Sequence, residues 1–267
     1  MTMLHYLPNP VTIILAILIF VPLEQVLALR ENQKIFRAKW KLDTIYLVIN
    51  GVLVGIGLNA TVLAIILVSS HFVPDGLHDW VASQPVWLQF PVLLLLADLG
   101  FYLAHRMFHT FPSMWKFHAV HHSIEEMDWL AAHRVHPIDQ IITKTASLLP
   151  IALLGFSAGP VALYAILYQW QSLFVHSNTR IKLGFLEYLL ATPHFHHWHH
   201  AEDREGWDKN FAGQLPFLDK LFGTFHMPEG RMPKAYGVSD PVPATYPEQL
   251  AYPFRAEPAR QSEQPAR

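Results

Sequence analysis

Cysteine is absent from the 267 residues of this chain. Disulfides, Cys-ligated zinc and iron–sulfur clusters held by the chain are thereby excluded. Charge is scarce as well. Asp, Glu, Lys and Arg make up 15% of residues, against about 25% in an ordinary soluble domain. A formal net charge of -2 supplies no basic field for gripping phosphates, so no nucleic-acid partner is expected. No Gly-rich dinucleotide fingerprint appears either. What the chain has instead is 52% hydrophobic residues and 17 histidines.

The apolar residues fall in runs that set the architecture. Pro10 to Leu29 is apolar apart from Thr12, Glu24 and Gln25, long enough to span about 30 Å of hydrocarbon. Residues 1–10 hold no Lys or Arg, so the run does not read as a cleaved signal. The positives follow it, at Arg30, Lys34, Arg37, Lys39 and Lys41, which predicts an outside N-terminus and a cytoplasmic 30–43 loop. Thr44 to Ser70 reads as a second span, the acidic loop 71–84 as the outer side, and Val86 to Leu103 as the return, carrying Asp98 within it. Ile141 to Phe156 and Val161 to Phe174, split by Ser157-Ala158-Gly159-Pro160, are each short for a full crossing and predict a helical hairpin. The expectation is an all-α integral membrane bundle, with about four spans or three spans plus the hairpin, and a cytoplasmic His-rich helical cap. Its divisions would be N-terminal membrane helices over 1–93, a catalytic domain over 94–226, and a poorly ordered Pro-rich tail over 227–267.

Three segments concentrate the histidines. His105-Arg106-Met107-Phe108-His109 is followed, after a break at Pro112, by His118-Ala119-Val120-His121-His122. The spacing recurs at His196, His199 and His200. Residues three or four apart share a helix face, so each segment should project its rings together. Neutral imidazole suits zinc, copper, iron or nickel. Eight imidazoles exceed the usual need of one ion, which points to a two-metal site. Uncoordinated core histidines are the bland alternative, and three spaced motifs argue against it. His176, returned by the hairpin, is a candidate ninth ligand. His136 is read as a hydrogen-bonded supporting group, with direct ligation as the alternative. Asp98, two turns before His105, is expected to orient His105 or a neighbouring ligand, or else to pair with Arg106 or another polar group. Glu24 is read as an interfacial charge.

Together with Asp98-x3-Tyr102-x2-His105-Arg106, His136-Pro137, His176-Ser177-Asn178, Trp207-Asp208-Lys209-Asn210-Phe211 and Leu218-Asp219-Lys220-Leu221-Phe222-Gly223-Thr224, these boxes resemble the fatty acid hydroxylase/sterol desaturase superfamily over about residues 90–226. The resemblance implies an integral membrane enzyme whose motif histidines hold two iron ions (a non-haem di-iron centre), with O₂ as co-substrate. It would hydroxylate, or alternatively desaturate, a lipid drawn from the bilayer. It carries no assigned catalytic role for Asn210 or Asp219. Electrons are expected from a separate reductase, ferredoxin or cytochrome partner, and a bacterial inner membrane is the expected location. A zinc-dependent membrane hydrolase is a rival that would need a carboxylate base, for which Glu125, Glu126, Glu202 and Glu205 are available. A metal transporter is a further rival, disfavoured because its ligands would sit near the bilayer midplane.

Overall fold

The computed structural model describes residues 9–69, 71–74 and 76–255. Within them the regular structure is helical, with two isolated bridges, Ala28 with Thr179 and Ala201 with Tyr236. Helix α1 (Pro10–Val26) starts from Asn9, whose side chain accepts the Val11 N–H at 2.9 Å, with Pro10 in the first turn where its missing donor costs nothing. Helix α2 (Trp40–Ile45) runs through a π turn (Tyr46–Asn50) into α3 (Gly51–Ser69), making one continuous 30-residue helix. The short α4 (Leu77–Ser83) leads to α5 (Val86–Thr110), of 25 residues. These two long helices are long and apolar enough to cross a membrane, while α1 is apolar but shorter. The second helix thus begins at Trp40, ahead of the Thr44 expected from hydropathy.

Exposed apolar side chains dominate the outer face of α3: Leu63, Ile66, Leu67 and Val68 are each more than half exposed. In water such a face would be an aggregation site; against lipid tails it is the ordinary surface of a spanning helix. Helices α7 (Pro137–Leu154) and α8 (Ala158–His176) form the expected hairpin, reversed at Gly155, which sits in the left-handed region at φ 72°. Helices α5 and α7 pack closely because Gly100 carries no side chain. A Cβ there would lie 2.2 Å from the Ala146 carbonyl oxygen.

Between and beyond the long helices lie the shorter α6 (Pro112–His122), α9 (Pro193–His199), α10 (Phe217–Phe222) and α11 (Tyr246–Ala251). A buried ion network ties the segment between α1 and α2, and the start of α2, to the 128–134 stretch. Arg37 reaches Asp128 at 2.6 Å and Asp43 at 2.5 Å, and Arg134 reaches the same Asp43 at 2.5 Å. With each charge paired and hydrogen-bonded, burial is tolerable. Glu24 is buried rather than interfacial: one of its carboxylate oxygens accepts the backbone N–H groups of Trp129 and Asn178.

The stretch after 226 departs from expectation. Residues 227–255 pack on the fold, with Tyr236 and Tyr246 buried, the Tyr46 hydroxyl donating to Gln249 at 2.8 Å and the Tyr246 hydroxyl donating to Asn50 at 3.0 Å. Its apolar residues, among them Tyr236, Val242, Tyr246 and Leu250, are interrupted by Pro and Gly and spaced too irregularly to register as a helical period. Residues 256–267 of the expected tail lie outside the described residues.

Candidate metal centre

The end of the bundle where α5 stops and α8 returns is built of imidazole. Two adjoining groups form there: His105, His109, His118, His122 and His199 in one, and His121, His176, His196 and His200 in the other. Within each group, one donor nitrogen per ring lies within 4.8 Å of all the others. All nine histidines singled out by sequence meet here, but not as their segments suggested. His118 and His122 enter the first group while His121, between them, enters the second. His196 and His200 enter the second group while His199 enters the first. Residues four apart on a helix superpose closely, whereas the residue between them points away by enough to reach a different centre. The 118–122 and 196–200 boxes therefore each give their i,i+4 pair to one group and their third ring to the other, while the i,i+4 pair His105 and His109 stays together in the first.

The hydrogen bonds fix which nitrogen faces inward. Nδ1 of His105 meets the Phe211 carbonyl at 2.7 Å, that of His121 the Arg134 carbonyl at 2.9 Å, that of His176 the Ser172 carbonyl at 2.7 Å and that of His199 the Lys209 carbonyl at 2.8 Å. A carbonyl only accepts, so each Nδ1 carries the proton and donates it, leaving the Nε2 lone pair bare. His118 is fixed the same way by Asp139, so the bare nitrogens of His105 and His118 face each other at 2.9 Å and those of His121 and His176 at 3.2 Å. The Nε2 atoms of His122, His196 and His200 close the rings of contacts, His122 to His199 at 3.0 Å, His196 to His176 at 3.0 Å and His200 to His196 at 3.1 Å. Two lone pairs at such range repel unless a cation lies between them. With metal–nitrogen bonds of about 2.0–2.1 Å, nitrogens at right angles around one ion stand about 3 Å apart. The donor set fits a pair of metal ions.

Electrostatics keep these rings neutral. Burial, reinforced by the neighbouring imidazoles, holds His121, His122, His196 and His200 well below the usual histidine range and brings His199 to about 3. Neutral rings at pH 7 have lone pairs to give.

One short segment orients much of the first group. Residues Trp207 to Phe211 offer the Lys209 carbonyl to His199, the Phe211 carbonyl to His105 and the Asp208 carboxylate to His109 Nδ1 at 3.2 Å. To do so the chain takes positive φ at Asp208 (54°) and Asn210 (59°), a conformation Asp and Asn tolerate best among non-glycine residues. Asn210 locks it by donating to the Phe195 and His226 carbonyls and accepting the His226 N–H. Asp219 accepts the N–H groups of Phe211 and Ala212 and the Thr224 hydroxyl.

Asp98 differs from its expected role. It touches no histidine and does not pair with Arg106; it accepts the N–H groups of Gly213, Gln214 and Leu215 at 2.7–3.2 Å. Seven residues along a helix is about 10 Å, too far for its carboxylate to reach the His105 ring. Its effect on His105 passes through the loop that also carries the Phe211 carbonyl. His136 likewise stands apart from the rings. It caps α7 by accepting the Ile138 N–H, and its Nε2 meets the Leu250 carbonyl at 3.2 Å. The supporting carboxylate is Asp139, three residues on, bonded to His118 Nδ1 at 2.7 Å. Sequence reading passed over it. Its signal was an acid in the first turn of a helix begun by His136-Pro137, a position that both the cap and the dipole favour.

Two helices long and apolar enough to cross a membrane, with a buried double cluster of imidazoles able to hold metal at one end, define the class as a membrane-type helical protein with a polyhistidine site. The chain belongs to the fatty acid hydroxylase family, whose sequence profile matches residues 90–224. Among curated relatives it is 33% identical over 178 residues to ornithine lipid hydroxylase OlsE of Rhizobium tropici, covering 66% of this chain and 54% of that protein. It is 36% identical over 148 residues to human alkylglycerol monooxygenase, covering 54% and 32%. It is 28% identical over 145 residues to very-long-chain aldehyde decarbonylase GL1-1 of Oryza sativa subsp. indica, covering 50% and 23%. The chain thus spans about half or less of the length of these relatives. No solved structure matches it.

Proposed function

We propose that this chain is a membrane-bound non-haem di-iron oxygenase that hydroxylates an unactivated C–H bond of a lipid, using O₂ and electrons from a separate donor. The observation that carries this reading is the pair of imidazole groups, in which His105, His118, His121, His176 and His199 turn a protonated Nδ1 outward and a bare Nε2 inward. Family membership and the lipid-hydroxylating relatives support it. His105, His109, His118, His122 and His199 would hold one iron, and His121, His176, His196 and His200 the other. When bound, iron supplies the redox chemistry that activates O₂, which no side chain can provide.

The chain's own residues perform the rest. The 207–211 segment, Asp139 and the Arg134 and Ser172 carbonyls fix ring orientation and tautomer, which raises the basicity of the inward nitrogens. Phe101, Val175 and Tyr168 line a small cavity of about 80 Å³ directly against His105, His121, His176 and His196. An aliphatic carbon placed there would meet the metal side of the rings with little water beside it. We place this site at the cytoplasmic end of the bundle, with the N-terminus outside, in a bacterial inner membrane, on the basis of the Lys and Arg that follow α1. Desaturation by the same ligand set is the second product of this chemistry.

The zinc hydrolase reading finds no base among the described residues. Neither imidazole group contains a carboxylate; Glu125 pairs with Lys39, Glu126 accepts the Ala38 N–H, Glu205 pairs with Arg231, and Glu202 is exposed and outside both groups. Supplying ¹⁸O₂ and membrane lipid to iron-loaded protein with a reducing system should give lipid carrying labelled hydroxyl. An unlabelled alkene would assign desaturation, and turnover with zinc in the absence of O₂ would defeat the oxygenase reading.

A further inference from the structure

Behind the small cavity lies a larger one, of about 370 Å³, between α1 and α3 on one side and α7 and α8 on the other. Ala132, Gln140, Tyr168 and Ser172 line both, so the two adjoin. The lining of the larger cavity is unusual for a membrane bundle. Lys144, Gln140, Gln169 and His133 all face it, and among the described residues no Asp or Glu does. Among the described residues none of these four side chains makes a hydrogen bond or ion pair; the Lys144 ammonium stands over the Tyr168 ring, 6.0 Å from its centroid. Ionisable and amide groups within an apolar bundle are costly when unmet, and they mark ligand sites. Their chemistry is specific: one ammonium, two amides and an imidazole close enough to feel the ammonium's charge. Such a set favours an anion with several acceptor oxygens.

We propose that this cleft binds the anionic headgroup of the substrate lipid, a carboxylate or a phosphate, with Lys144 as counter-charge and Gln140, Gln169 and His133 as hydrogen-bond donors. The consequence for regiochemistry rests on the oxygenase reading above; the anion site itself does not. Along α7, Lys144 lies five residues beyond Asp139, the partner of His118, about 7–8 Å of helix rise. A headgroup held there puts carbons a few bonds from the anion, rather than the tail's far end, against the imidazole groups.

The test is direct binding of three twelve-carbon probes, dodecanoate, dodecyl phosphate and dodecanol, to the purified full chain in a neutral detergent. At least one anionic probe should bind tenfold or more tightly than dodecanol, and the tighter of the two identifies the headgroup. Lys144→Met should bring that probe to the level of dodecanol, while Lys144→Arg retains most of the difference and metal content stays unchanged in both. Gln169→Leu, which leaves the charge in place, should weaken the anion severalfold and guards against a misfolded Lys144→Met. Equal affinity for all three probes, or an anion preference that survives Lys144→Met, would overturn the proposal. Failure of the oxygenase reading would show separately, as wild-type protein that binds the anion but incorporates no ¹⁸O.

Discussion

The two imidazole groups are alike in their inward nitrogens and unlike in what stands behind them. The first, around His105, His118 and His199, has carboxylates behind two of its rings, Asp139 on His118 and Asp208 on His109. The second, around His121, His176, His196 and His200, is backed at His121 and His176 by backbone carbonyls. A carboxylate behind an imidazole makes it a stronger donor and offsets part of an ion's charge. The first group should therefore bind its ion more tightly and hold it in the higher oxidation state more readily. The groups also differ in exposure: all four rings of the second are buried, whereas His109 of the first is only partly so. Two groups drawn from the same boxes need not be equivalent.

Substitutions can break this asymmetry or sharpen it. The largest effect is expected where an i,i+4 pair is split. His196→Ala removes an inward nitrogen from the second group and should lower bound metal from two ions per chain toward one, with activity lost; elemental analysis beside an activity assay checks it. Next comes Asp139→Asn. Loss of the carboxylate behind His118 should weaken the first group's ion by roughly 10–100-fold and leave the second group's ion in place, which chelator competition resolves as one shifted phase out of two. If both phases shifted equally, the groups would not be independent.

Smaller effects should follow from the scaffold. Asp98→Asn turns an amide NH₂ toward backbone donors at Gly213 to Leu215, and should cost about 1–3 kcal/mol. Thermal unfolding should register that loss, and a modest fall in first-group affinity should accompany it, because the same loop carries the Phe211 carbonyl. The smallest is His136→Ala. Loss of the α7 cap should cost about 0.5–1 kcal/mol, with metal binding by the second group unchanged.

The contrast between the groups also shows which part of the centre was legible. Eight of the clustered histidines could be read from sequence because i,i+3 and i,i+4 spacing puts rings on one helix face, and His176 only because the hairpin brings it back to the same end. Their partition could not, since His121 and His122 are neighbours in the chain yet serve different centres. Fold class was legible from apolar run length, but the number of crossings was not. Helices α7 and α8 mix polar residues such as Gln140, Lys144 and Gln169 into their apolar faces. Supporting groups were least legible. Asp98 stood out by being an acid in a span, yet it serves a loop more than a hundred residues away. Asp139 carried only a local helix-start signal that says nothing of His118, and the carbonyls of residues 209 and 211 are chosen by tertiary contact alone, since a carbonyl leaves no mark in a sequence.

The central claim is that the imidazoles hold a pair of iron ions. Anaerobic loading of the full chain with Fe(II), followed by iron quantification and X-ray absorption at the iron edge, tests it most directly. The account predicts two irons per chain, each in a shell dominated by imidazole nitrogen. Saturation at a single ion, or a shell dominated by oxygen, would contradict it.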